Sequence, residues 1–124
     1  MNRADGSYER REVGESPRVD AMTTRVFDLL GKRWNGLLIT VLLAGPAHFS
    51  ELHRAVPGIS GRILSDRLTH LAAEGLVVRE VREGPPLRVQ YRLTETGVAI
   101  RPALKELRDW ALAHLGEPAE SATP

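Results

Sequence analysis

Four polar side chains, Arg62, Ser65, Asp66 and Thr69, recur at three- and four-residue intervals between Ser60 and Glu74. On an α-helix that spacing gathers them on one side. Leu64, Leu68, Leu71 and the closing Gly75 fall on another side. An arginine can bond guanine through two parallel hydrogen bonds, and a serine or threonine can bond several bases or a phosphate. A helix that enters a major groove needs this division, with an apolar back held by its domain and short polar tips in front. Asp66 fits a polyanion poorly. It can accept from a cytosine amine, or pair with Arg62 one turn away.

Any capped amphipathic helix carries a charged outer face, so the neighbouring segments decide the weight of this one. Ser60 can cap the helix and offer free N–H groups to a phosphate. Upstream, Ser50 is expected to cap a short helix over Glu51–Val56, ended by Pro57-Gly58. Two helices joined by Pro57-Gly58-Ile59-Ser60 read as a helix-turn-helix. The apolar period then changes from 3.6 to 2. Residues 76–82 form one strand and residues 88–93 a second, with Val89, Tyr91 and Leu93 on one face. Between them Glu83-Gly84-Pro85-Pro86-Leu87 makes a stiff tip. Arg79, Arg82, Arg88 and Arg92 flank it, which suits contact with phosphate or a minor groove. A hairpin placed directly after a helix-turn-helix is the wing of a winged helix. The fold class is therefore mainly α with a small β-hairpin wing (α+β).

The remaining elements must hold these parts in place. Asp20 opens a helix with Met22, Val26, Phe27, Leu29 and Leu30 on one face, and Gly31 ends it. A second helix is expected from about Arg33 to Leu43, with Trp34, Leu37, Leu38, Val41 and Leu42 inward. Thr94 caps a last helix, to about Leu115. It is apolar over more than one face, counting Ile100, Leu104, Leu107, Trp110, Leu112 and Leu115, which exceeds what a small domain can cover alone. Residues 1–18 read as a disordered arm, residues 19–115 as one domain, and residues 116–124 as a flexible tail.

The order of these residues resembles the HxlR-type winged helix-turn-helix regulators of bacterial transcription. The resemblance covers residues 20–115. It rests on Phe27-Asp28-Leu29-Leu30-Gly31-Lys32-Arg33-Trp34, on Leu37-Leu38-Ile39 and on Phe49-Ser50-Glu51-Leu52. Next come Pro57-Gly58-Ile59-Ser60-Gly61-Arg62-Ile63-Leu64-Ser65-Asp66-Arg67-Leu68, then Leu71, Gly75-Leu76-Val77 and Tyr91-Arg92-Leu93-Thr94-Glu95-Thr96-Gly97. What the resemblance implies is a homodimer on a palindromic operator, a repressor or dual regulator. The outer helices, about 20–31 and 97–115, would form the dimer contact through Met22, Val26, Phe27, Leu104, Leu107, Trp110 and Ala111. Arg62, Ser65, Asp66 and Thr69 would read bases. His48, Ser50, Ser60, Arg67, Arg82 and Arg88 would hold phosphates. Many members carry a cysteine just before the apolar face of the first helix, and some use it to sense oxidants or electrophiles. Ala21 stands at that position here.

Composition removes other functions. The chain of 124 residues has no cysteine, which rules out disulfides, thiolate nucleophiles and thiol sensing within it. His48, His53, His70 and His114 lack the spacing of a helical metal pair, so no metal is expected. No phosphate loop or nucleophile elbow is present, so neither catalysis nor a cofactor is expected. No apolar run approaches the ~20 residues that span a bilayer, and residues 1–18 hold no signal-peptide core, so a cytoplasmic protein is expected. The net charge of +1 is an average. Residues 20–115 carry 13 Lys and Arg against 10 Asp and Glu, and the two ends together carry 4 against 6.

Three readings stay open at this level. A winged helix that contacts a protein or senses a small ligand, with little or no DNA binding, is the alternative, favoured by Asp66, Glu80 and Glu83. A small-molecule effector of unknown identity is compatible with either reading, and Trp34 or Trp110 could line its pocket instead of packing. Lys32 and Arg33 precede the second helix, where the helix dipole disfavours cations, and a phosphate contact would offset that cost.

Overall fold

The computed structural model describes Gly14 and residues 16–116. Residues 1–13, 15 and 117–124 lie outside the described residues, and with them most of both proposed tails. Helix α1 (Ala21–Leu30) leads into α2 (Asn35–Leu43), α3 (Phe49–Ala55) and α4 (Gly61–Ala73). Strands β1 (Val77–Arg82) and β2 (Arg88–Leu93) follow, then α5 (Glu95–Val98) and α6 (Arg101–His114). The result is a mainly helical winged helix with one antiparallel hairpin.

Each start and stop has a local cause. Asp20 accepts from the Thr23 backbone N–H at 2.6 Å and from the Thr23 hydroxyl at 3.0 Å, which opens α1. Gly31 closes it, for reasons of space: a side-chain carbon there would collide with the Phe27 carbonyl. Helix α2 begins at Asn35, two residues later than expected, because the chain between α1 and α2 is tied off by the Asn35 amide. Its Nδ2 donates to the Leu29 carbonyl at 2.8 Å, and Asn35 is fully buried. Leu38, Ile39 and Leu42 of α2 enter the core, but Leu37 does not. It was expected inward and is 51% exposed, because the buried positions of α2 follow Asn35 and leave Leu37 on the far side.

The N-cap of α3 is His48, not Ser50. The Glu51 carboxylate accepts from the His48 backbone N–H at 2.7 Å, so the third helical residue reaches back to the cap and sets the start. Ser60 caps α4 as expected, its Oγ accepting from the Ile63 N–H at 3.1 Å. Between α3 and α4, Val56 and Ile59 are buried, and Gly58 turns the chain at φ +91. Leu52 of α3 and Leu64, Leu68 and Leu71 of α4 meet Leu38, Ile39 and Leu42 to complete the core.

The hairpin pairs Val77 with Leu93, Arg79 with Tyr91, and Arg82 with Arg88. Val77 and Leu93 close the core from below. Ala47, just before α3, exchanges two backbone hydrogen bonds with Tyr91, at 2.9 and 2.8 Å. The expected last helix is broken into α5 and α6. Thr94 caps α5 by accepting from the Gly97 N–H at 3.1 Å, and its hydroxyl donates to the Gly75 carbonyl at 2.7 Å. Gly97 is buried against Leu76 and Leu93, so the chain must leave that contact before α6 can start, with Pro102 in its first turn.

Candidate nucleic-acid interface

Arg62, Ser65, Asp66 and Thr69 all stand exposed on α4, and with Ile63 they line one shallow concavity. Leu64, Leu68 and Leu71 lie buried behind them. The polar front and apolar back thus occupy separate sides of one helix, as the spacing required. The details modify the partners. Asp66 accepts from Arg67 Nη2 at 2.6 Å and does not pair with Arg62. The Arg67 hydrogen bond and charge hold the Asp66 carboxyl below the usual carboxylate range. The Arg67 side chain is only 17% exposed and committed to Asp66, so it does not stand free for a phosphate. Arg62 enters no ion pair among the described residues, which leaves its guanidinium available. Thr69 is exposed and donates its hydroxyl to the Ser65 carbonyl at 3.0 Å. Ser60 is exposed at the head of α4.

On the wing, Arg82 and Arg88 are direct cross-strand partners on one face. Both are exposed, and neither enters an ion pair among the described residues. Like charges placed opposite each other destabilise a hairpin, and an anion between them removes that penalty. Arg92 is different: its Nε donates to Glu80 at 2.8 Å, so those two charges cancel within the hairpin. Ser50 sits exposed in the first turn of α3. His48 is half-buried, with Nδ1 2.8 Å from the Val89 carbonyl. A carbonyl only accepts, so Nδ1 carries the proton and donates, and only Nε2 is left for an outside group.

The outer helices carry a second surface. Met22, Val26 and Phe27 of α1 are exposed, Phe27 to 66%. Leu107 and Trp110 of α6 are exposed, Trp110 to 54%, while Leu104 and Ala111 are half-buried. Leu112 and Leu115 extend the same apolar exposure. Neither α1 nor α6 has a fully buried residue.

Over residues 29–118 the chain matches the HxlR-like helix-turn-helix family. The chain belongs to that family. One HxlR-like relative, the HTH-type transcriptional regulator YodB of Bacillus subtilis, is 45% identical over 85 residues, 68% of this chain and 76% of YodB. The reduced form of YodB superposes with a TM-score of 0.72 at 39% identity, covering 83% of this chain and all of that one. YodB is also known in quinone-bound and diamide-treated forms. The redox regulator HypR in its reduced form gives a TM-score of 0.73 at 31% identity, over 77% of this chain and 95% of that one.

Sequence reading missed Asn35, which no polar pattern announced, and the ring contact of Trp34. A side-chain carbon at Gly58 would lie 3.6 Å from Trp34 Cη2, so Trp34 packs beneath the turn between α3 and α4. Among the described residues no group of three or more His, Asp or Glu side chains could hold a metal. No described helix is long and apolar enough to cross a membrane.

Proposed function

We propose that the chain is a DNA-binding transcription regulator, a repressor or dual regulator, that acts as a homodimer on palindromic operators. The observation that carries this reading is the outward set Arg62, Ser65, Asp66 and Thr69 on a helix whose back is buried in the core. In this reading α4 enters the major groove, where Arg62 bonds a guanine and Ser65 and Thr69 contact neighbouring base edges. Asp66 accepts from a cytosine amine while keeping Arg67. Ser60 and the Arg82–Arg88 pair take phosphates, with His48 Nε2 and Ser50 at the margin of the same contact.

The exposed apolar residues of α1 and α6 support the dimer. A second copy would cover Met22, Val26, Phe27, Leu107 and Trp110, with Leu104 and Ala111 at the edge, in a self-complementary contact. Two-fold symmetry then sets the half-sites about one helical turn of DNA apart. Membership of a family of transcription regulators supports regulation of transcription as the role of this surface. With no cysteine in the chain, an effector would act without thiol chemistry.

The test is selection of bound sequences from a pool of random duplexes by the purified full chain. A palindrome with half-site centres about 10 bp apart is expected, with binding that weakens steeply with salt. Failure to retain any duplex in a salt-sensitive way would overturn the reading. So would enrichment of a protein partner with no retained DNA.

A further inference from the structure

Two adjacent cations stand together outside both α4 and the wing. Lys32 and Arg33 are exposed in the connection between α1 and α2. Neither enters an ion pair among the described residues, and the first turn of α2 holds no acid to neutralise them. The fold nonetheless orders one of them. The Arg33 guanidinium carbon sits 4.4 Å from the centre of the Trp34 ring, in a cation–π stack. That ring reaches the Pro57-Gly58 turn, the segment that delivers the chain to Ser60 and the start of α4. An arginine stacked on an aromatic face keeps its in-plane N–H groups free for an outside acceptor. Trp34 is thus a shelf that holds a positive charge next to the recognition helix.

We infer that Lys32 and Arg33 form a third phosphate anchor on DNA, separate from α4 and from the hairpin, with Trp34 positioning Arg33. This rests on the DNA-binding reading above and extends its surface to the connection between α1 and α2. Charge complementarity and continuity with the start of α4 identify the occupant as the DNA backbone. The arrangement carries no base-reading geometry, so the anchor adds affinity and register without sequence preference. Each phosphate released from its counterions contributes about 0.9 to the slope of log affinity against log salt.

The experiment uses a duplex selected by the wild-type chain and measures affinity across a salt series. Arg33→Ala and Lys32→Gln are each expected to lower the salt slope by about one and to weaken selected and random duplexes by the same factor. Phosphate-ethylation interference should lose one position per half-site that Arg88→Ala leaves in place. Arg33→Lys should keep the slope and bind more weakly, since it keeps the charge and loses the planar stack. Both residues are exposed, so melting curves of the variants should match wild type. Unchanged slopes and ethylation patterns in both variants, on a duplex where Arg88→Ala does lower the slope, would overturn the anchor. A wild-type chain with no salt-dependent binding would instead overturn the reading beneath it, before any variant is made.

Discussion

Arg62 and Asp66 lie one turn apart on α4, yet Asp66 takes its adjacent residue, Arg67. That choice makes Arg62 the free cation of the helix and gives it the sharpest expected phenotype. Arg62→Ala should cost roughly 1–3 kcal/mol of discrimination at one base pair per half-site, with other positions unchanged, read by affinities for single-substituted operators. Asp66→Asn should act differently. It removes an anion from the DNA-facing side and loosens Arg67, so affinity for random duplex should rise while discrimination falls, and unchanged random-duplex affinity would remove Asp66 from the interface. Asp20 tests the other end of the chain. The Thr23 backbone N–H holds its carboxyl below the usual range, so the native state favours the ionised form. The contribution is complete above the unfolded value of about 4 and is lost as pH falls through the lower native one. Asp20→Asn should keep α1 capped and flatten that acid limb of the thermal-melting profile.

At the scale of elements, caps and turns carried the sequence reading where the cause was local. Ser60, Thr94, Gly75 and the two hairpin strands followed from side-chain oxygens, a glycine terminator and a two-residue period. Tertiary causes escaped it. Nothing near Ser50 shows that Glu51 reaches back to His48, nothing near Leu37 shows that Asn35 takes the buried side, and only Gly97 against Leu76 and Leu93 explains the break before α6. The polar face of α4 was readable because it is one helix, whereas the commitment of Arg67 depends on a rotamer. Ser60→Ala should lose about 1 kcal/mol of stability through the cap. Gly97→Ala should cost more than that, because the new methyl meets the Leu76 carbonyl and Leu93 where backbone and core cannot yield. Both are checked by denaturant unfolding, and a neutral Gly97→Ala would mean that α5 repacks freely.

At the scale of the molecule, two features set how the regulator meets its surroundings. The first is the apolar cover missing from α1 and α6. Phe27→Glu and Trp110→Glu should each turn a dimer into a monomer in sedimentation and reduce operator affinity, and a dimer unaffected by both would place the contact elsewhere. The second is the absence of cysteine. YodB is known in quinone-bound and diamide-treated forms, and this chain should bind its operator equally before and after either reagent. A loss of binding would point to another oxidisable residue, of which exposed Met22 is the first to examine.

The short bond set between Ala47 and Tyr91, joined by His48 on Val89, ties the wing to the segment that starts α3. The wing and the start of α3 are therefore held together by hydrogen bonds, and in the proposed dimer each subunit would act as a calliper of fixed opening. One base pair inserted between half-sites separates them by about 3.4 Å and rotates one against the other by roughly 34°. A subunit tied in this way would take up little of that misfit. Any tolerance for variable spacers in the proposed dimer must come from sliding between its two copies, so operators for this chain should share one spacer length even where their bases differ.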